Sequence, residues 1–193
     1  MTRSVEARSD EGLTGEAMRL VHASSDGERR TAAAFRRTIF LERRRVTFDD
    51  VLEARRDRAG HVFLLLADGR PAATARVLPY PSRLSTLREL GPALGALEAD
   101  SEVGRIAAVS SPEGLRYSLM LLALGAGWLL EHTDLRRYAA YCHPKLVDLY
   151  RLAGAEVVAG PCPVPGRADP HVIIAGHYED AAALAFTTPE RNA

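Results

Sequence analysis

Along the 193-residue chain the apolar positions switch from irregular to helical spacing, then to alternation, then back and forth between the two. Residues 1–15, "MTRSVEARSDEGLTG", are polar without a period and read as a flexible tail. Further on, Ala34, Phe35, Thr38, Ile39 and Leu41 recur at helical spacing, with Arg36, Arg37, Arg43 and Arg44 on the other faces, and Ser25 or Asp26 is placed to cap that helix. "TFDDVLEARRDRAG" predicts a short helix or ordered loop ending at Gly60. "HVFLLLADGRPAATARVLPY" is two β-runs around Asp68-Gly69, a strong hairpin signal. A loop-rich insert follows, "PSRLSTLRELGPALGALEAD", with room for one helical turn. "SEVGRIAAVS" predicts a strand, and "PEGLRYSLMLLALGAGWLLEHTD" a long helix, apolar almost all round and therefore largely buried. "RRYAAYCHP" predicts a strand and "KLVDLYRLAG" a short helix stopped by Gly154. "AEVVAG" and "DPHVIIAGHYE" read as final strands on either side of the loop "PCPVPGR". Residues 186–193 read as a second tail, which leaves one domain over 16–185.

The strand–helix–strand–helix–strand order in the second half requires a mixed sheet containing a parallel pair, to which the hairpin adds antiparallel neighbours. The expected class is α/β (α+β), with a mixed sheet flanked by helices.

Composition narrows the functions. Twenty-five basic and twenty-five acidic residues give a formal net charge of zero, so no long-range field steers the molecule to nucleic acid or a membrane. Two cysteines, Cys142 and Cys162, cannot build a disulfide framework. No secretory signal opens the chain, and its longest apolar run is too short to span a bilayer, so the reading is a soluble cytoplasmic protein. His61, His171 and His177 lack metal-ligand spacing, so no metal is expected. Cys142 has no histidine and asparagine pattern of a cysteine hydrolase and reads as a small buried hydrophobe. The arginines 36, 37, 43, 44, 45, 55, 56 and 58 read as a solvated helix face, or as a docking surface for an acidic partner.

Four stretches, in this order and spacing, resemble the GNAT acyltransferase superfamily, and within it the branch of acyl-homoserine-lactone synthases and N-acyl amino acid synthases. They are "GRPAATARVLP", ending its "G-x-x-x-x-x-x-R" phrase at Arg76; "EVGRIAAV"; the helix-and-strand run "SLMLLALGAGWLLEHTDLRRYAAYCHP"; and "LVDLYRLAGAEVV". The resemblance covers residues 30 to 180 and implies the GNAT fold, with its sheet splayed between the fold's strands 4 and 5. It departs from the branch in the N-terminal part, where the nearest match to a "Y-D-x-D" phrase is Phe48 to Asp50. It departs again at "SSPEGLRYSLM", where coenzyme-A-dependent members carry "Q/R-x-x-G-x-G/A", whose glycines let backbone amides cradle a pyrophosphate. Arg116 and Ser118 are left as ligands for a single phosphate, which suits the phosphopantetheine arm of an acyl carrier protein.

The resemblance implies an N-acyltransferase that passes an acyl group from the phosphopantetheine thioester of an acyl carrier protein directly to the amine of an amino acid or specialised metabolite, with no permanently bound cofactor. The alternatives are a coenzyme-A-dependent N-acetyltransferase and a catalytically silent module that binds a ligand or partner. A homodimer is common for the fold. Glu102, at the head of the fourth strand, is the leading general base, and a salt bridge with Arg105 or Arg76 is its structural alternative. Arg105 and Arg76 are candidate ligands for a substrate carboxylate. Backbone amides from Ala107 to Val109 are matched to the thioester oxygen, Tyr150 to the acid that protonates the thiolate, and His143, beside Pro144, is a second candidate base.

Overall fold

The structure, a computed structural model, describes residues 5–6, 17–43, 49–90, 97–165 and 167–184. In chain order the elements are β1 (Val5–Glu6), β2 (Met18–His22), α1 (Asp26–Arg37), a π-helical turn (Thr38–Arg43), α2 (Asp50–Ala59), β3 (His61–Ala67), β4 (Arg70–Pro79), α3 (Thr86–Glu89), β5 (Ser101–Ala108), α4 (Gly114–His132), β6 (Arg137–Cys142), a 3-10 turn (Pro144–Leu146), α5 (Val147–Leu152), β7 (Glu156–Cys162), β8 (His171–His177) and α6 (Tyr178–Ala183). They fall into two compact units, Met1–Val77 with Arg105–Leu121, and Leu78–Gly104 with Leu122–Ala193. Apart from Val5–Glu6, the two expected tails lie outside the described residues, as do Arg44, Arg45 and Phe48.

In the first unit β1, β2, β3 and β4 follow one another as antiparallel neighbours. Asp68 and Gly69 take left-handed φ of 47° and 76°, the backbone that a two-residue hairpin needs. The sequence reading passed over β2. Its five residues, Met-Arg-Leu-Val-His, place the adjacent Leu20 and Val21 both in the core and so break alternation; its pairing to β3 across some forty residues defines it. The helix expected to run through Arg44 divides instead. Ser25 and Glu28 form a capping box at its start, Ser25 Oγ accepting from the Glu28 amide at 3.2 Å and Glu28 Oε2 accepting from the Ser25 amide at 2.9 Å. At Thr38 the backbone widens into the π turn, and the successive residues Ile39 and Phe40 can then both be buried, against Ala107 and Phe35.

In the second unit β5 pairs with β6 in parallel, and the order continues through β8 to β7 by antiparallel contacts. This is the mixed sheet with a parallel pair that the element order required. The parallel register covers Ser101↔Tyr138 and Glu102↔Ala139, while β6 stays paired to β8 as far as Cys142. β5 and β6, the fourth and fifth strands of the expected sheet, are thus clasped at one end. Asp100 makes the clasp. Its Oδ2 accepts from the amides of Arg136 (3.0 Å) and Arg137 (2.8 Å), its Oδ1 from Arg137 Nη2 (3.1 Å), and its own amide donates to the Arg137 carbonyl. Burial alone would raise the Asp100 pKa, but these donors and the Arg137 charge hold it below its ordinary value. Beside it, Ser101 Oγ meets the phenol of the buried Tyr178 at 2.6 Å. Tyr178 starts α6, where the sequence suggested a continuing strand. The core of this unit gathers Leu87, Ala139 and Ile173, and Gly154 ends α5 with a left-handed φ of 74°, as its C′ position predicts. Among the described residues no helix is long and apolar enough to cross a membrane.

Replacing Asp100 by alanine leaves two amides and one guanidinium without their acceptor. Because the site is part-exposed and water can substitute, the expected loss is about 1 kcal/mol, read as a lower urea midpoint at unchanged slope.

Candidate active site

Of the candidate site residues, the first unit holds Arg76, Arg105, Ala107, Val109, Arg116 and Ser118. Arg76 and Arg105 come together, through residues the sequence reading did not single out. Four guanidiniums converge on two carboxylates of α2. Arg105 grips Glu53 with both Nε (3.1 Å) and Nη2 (2.8 Å). Arg76 Nη1 reaches Glu53 Oε2 at 2.8 Å and Asp57 Oδ1 at 3.1 Å. Arg56 contacts Glu53 at 3.3 Å, and Arg36 donates to Asp57 Oδ2. Arg36 is 1% exposed, Asp57 and Arg76 4%, and Glu53 and Arg56 6%.

This corrects the reading of the arginine cluster as a solvated face. Arg37, Arg55 and Arg58 are exposed, but Arg36 and Arg56 are interior. The buried face of α2 consists of Glu53, Arg56 and Asp57, so apolar periodicity could not reveal it. The available signal was Glu53 and Asp57 at i, i+4 on one short helix, which places two acids on one face. The two acids of the stretch nearest to a "Y-D-x-D" phrase have local partners: Asp49 caps α2, accepting from the Val51 and Leu52 amides at 3.0 Å, and Asp50 pairs with exposed Arg37.

Electrostatics follow from the geometry. Burial would raise the Glu53 pKa; the Arg105 hydrogen bonds, the Arg76 and Arg105 charges and the Arg76 hydrogen bond reverse this and bring it to about 2. Desolvation lowers the Arg36 pKa from its usual value, against the opposing pull of Asp57. Arg105 also lies over the Phe40 ring, 5.8 Å from its centroid, and has a left-handed φ of 55°. That φ is costly for a residue with a side chain. It marks an irregularity in β5, held in place by the bidentate grip on Glu53.

The remaining candidates of this unit sit where β5 hands over to α4. Ala107 is buried. The Val109 amide already donates to the Ala72 carbonyl at 2.9 Å, so of the backbone donors expected for a thioester oxygen this one is engaged. A Cβ on Gly114 would lie 2.1 Å from the Val109 carbonyl oxygen, so glycine is required where strand and helix nearly touch. Ser118 Oγ donates back to the Gly114 carbonyl at 2.9 Å, and the exposed Arg116 lies over the Tyr117 ring at 5.4 Å.

The second unit holds Glu102, His143 and Tyr150. Glu102 is 4% exposed. The arginine proposed as its structural partner is replaced by a hydroxyl and an amide: Oε2 accepts from Ser85 Oγ and, at 2.9 Å, from the Leu87 amide. Ser85 is also the N-cap of α3, so the acid fastens the helical turn of the insert to the head of β5. Its other oxygen, Oε1, lies on the side of Gly104. His143 caps the 3-10 turn, its Nδ1 accepting from the Lys145 amide at 3.2 Å, which puts the proton of the neutral ring on Nε2. Its ring faces His171 edge-on at 6.0 Å. Tyr150 is half-buried on α5, and its carbonyl accepts from the amides of Ala153 and Ala155. Burial pushes the Cys142 thiol up to about 11, so it is no thiolate nucleophile at neutral pH.

No family model matches the sequence, and no curated protein does. Solved structures match over nearly the whole chain. FeeM, an N-acyl amino acid synthase from uncultured soil microbes, is 15% identical with a TM-score of 0.67 over 88% of this chain and 95% of its own. The acyl-homoserine-lactone synthase LasI is 18% identical with a TM-score of 0.66 over 90% and 96%. BjaI, a coenzyme-A-dependent acyl-homoserine lactone synthase solved with S-adenosylmethionine and isopentyl-CoA, is 18% identical with a TM-score of 0.66 over 86% of each chain. The protein has the fold of the GNAT acyltransferases.

Glu53→Gln removes the charge that holds Arg76 and Arg105 and leaves buried cations uncompensated. The expected destabilisation is about 3–5 kcal/mol. The wild type should also show a pH signature. The folded pKa of Glu53 is depressed to about 2 from 4.5, so its stabilisation is complete above pH 4.5 and fades as pH falls toward 2. Urea midpoints of Glu53→Gln should have a shallower pH dependence across that window.

Proposed function

We propose that the protein is an N-acyltransferase that moves an acyl group from the phosphopantetheine thioester of an acyl carrier protein to the amine of an amino acid or specialised metabolite. The observation that supports it most is the construction of β5, in a fold shared with acyltransferases. Its head carries a buried carboxylate fixed through one oxygen, and its middle departs from regular geometry at a clamped arginine.

In this reading Glu102 Oε1 takes a proton from the attacking ammonium, directly or through water. The amine nitrogen bonds to the thioester carbon, an amide proton of the irregular stretch at Ala107 or Ala108 meets the developing oxyanion, and the carbon–sulfur bond breaks. Tyr150 protonates the departing thiolate, and the second proton of the former ammonium, shed as the amide forms, restores the phenol through water. Glu102 is preferred to His143 as base because the lone pair of the neutral His143 ring is occupied by its cap. Arg76 and Arg105 act as positioning residues, since their nitrogens hold Glu53 and Asp57. The carrier protein is preferred to coenzyme A because the passage from β5 into α4 offers one glycine, Gly114 at the start of the helix, already required by Val109, and the Ser118 hydroxyl of α4 is turned back on its own helix. Arg116 remains at the surface for a single phosphodiester. Exposed Arg37, Arg55 and Arg58 suit an acidic carrier.

Release of free thiol, followed with an amine panel, tests the donor: release from acyl-loaded carrier protein should exceed that from acyl-CoA. Release from neither would overturn acyl transfer in favour of a binding module. Glu102→Gln keeps an oxygen to accept from Ser85 and Leu87. Its kcat/KM should fall about 100-fold or more, the usual range for a lost acid or base, with Tm nearly unchanged. Unaltered turnover would reduce Glu102 to a fastener of the insert.

A further inference from the structure

His22 ends β2 and His61 opens β3, and acyl transfer uses neither. By spacing along the chain His61 has no metal-ligand partner; the fold supplies one from 39 positions away. β2 and β3 run antiparallel, with His22 opposite Phe63. His61 lies two residues before Phe63 on the same strand, so both histidines and Phe63 project from one face of the sheet. Their imidazoles meet there. His61 Nδ1 and His22 Nε2 stand 3.2 Å apart, with ring centroids 5.3 Å apart and planes tilted by 42°. The buried Phe63 ring backs the pair, its centroid 5.5 Å from that of His22. The backbone beneath is held as well: the Ala23 amide donates to the Val62 carbonyl at 2.8 Å. Both histidines are half-buried rather than sealed in the core.

We propose that His22 Nε2 and His61 Nδ1 are the protein ligands of a divalent transition-metal site, suited to zinc or copper(II). The geometry selects that class. Imidazole nitrogens bind zinc at about 2.0–2.1 Å, so a tetrahedral ion held by two of them sets the nitrogens about 3.3 Å apart and the ring centroids about 5.2 Å apart. The pair stands close to both spacings. Imidazole suits zinc and copper, whereas magnesium and calcium take oxygen ligands. Without metal the two neutral rings share one proton between the facing nitrogens, one donating and the other accepting. On binding, that proton passes through water to the far nitrogen of its own ring, and both facing lone pairs go to the metal. Each ring stays neutral and no electron is transferred. Among the described residues no group of three or more histidine, cysteine or carboxylate ligands forms, so water completes the shell and the site is an open one. Bound metal ties the end of β2 to the start of β3, just before the chain enters α1. The site stands independently of the acyl-transfer reading.

Calorimetric titration of the untagged full chain with zinc chloride tests the proposal, with magnesium chloride as the control that seeks oxygen ligands. Zinc should bind at one site per chain and raise Tm as its concentration rises, and magnesium should do neither. His22→Gln and His61→Gln should each weaken zinc at least about tenfold, since even the outer partners of metal ligands carry that much. Metal-free Tm should stay near that of the wild type in both. His171→Gln removes a histidine whose ring lies 6.0 Å from that of His143, the other close pair among the described residues, and should leave zinc affinity unchanged. Copper(II) supplies a readout of the ligands themselves. Its electron paramagnetic resonance spectrum should carry the coupling of two imidazole nitrogens in the wild type and of one in His61→Gln. Failure of zinc to bind, binding that survives both glutamine variants of the pair, or loss of binding in His171→Gln would each overturn the assignment.

Discussion

Glu53 and Asp57 hold four arginines from four different elements, and the register of those elements in the first unit depends on that gathering. Arg36 comes from α1, Arg56 from α2 itself, Arg76 from β4 and Arg105 from β5. Such a cluster is weak evidence for stability, because desolvating the charges offsets much of their mutual attraction. Its effect is on specificity. Each guanidinium has a defined set of carboxylate oxygens, so α1, α2, β4 and the middle of β5 are fixed in register as apolar packing alone would not fix them. The left-handed backbone at Arg105 is the clearest consequence. Regular strand geometry would carry that side chain elsewhere, and the paired bonds to Glu53 together with the Phe40 ring retain it.

Glu102 and Arg105, three residues apart, therefore have separate partners. The acid is bound by a hydroxyl and an amide of the insert; the base is bound by a carboxylate of α2. A Glu102–Arg105 pair would have tied both side chains into one neutral unit. Instead one oxygen of Glu102 is fixed and the other is left outside those two bonds, the arrangement a proton acceptor needs if it is to be both oriented and basic.

Much of the fold was legible because its strands and long helix follow simple periods. The hairpin at Asp68-Gly69, the long helix after Gly114 and the stop at Gly154 are each written in a few residues whose backbone demands are local. What escaped was written at a distance. β2 is too short and too irregular for a pattern and is defined by its partner strand. α2 turns a charged face inward, so the rule that polar residues lie outside pointed the wrong way for Arg36 and Arg56. Ser85 became visible as a site residue only when the insert folded back on Glu102. Arg76 and Arg105 were recognised as important, but their partners were not, since Arg76 stands 23 and 19 positions from Glu53 and Asp57, and Arg105 stands 52 from Glu53.

The same distinction bears on how a chain so unlike its structural neighbours in sequence can keep their fold. Apolar core positions accept many side chains of similar volume, and identity there drifts with little penalty. A buried ion cluster is stricter: removing one member strands its partners in a dry interior, so its members must change together or not at all. Both apolar packing and this cluster position β5, but only the cluster dictates the backbone at Arg105. If the chemistry resides on β5, selection on that chemistry would reach Glu53, Asp57 and Arg36 through Arg105, although none of the three need touch a substrate of the acyl-transfer reaction.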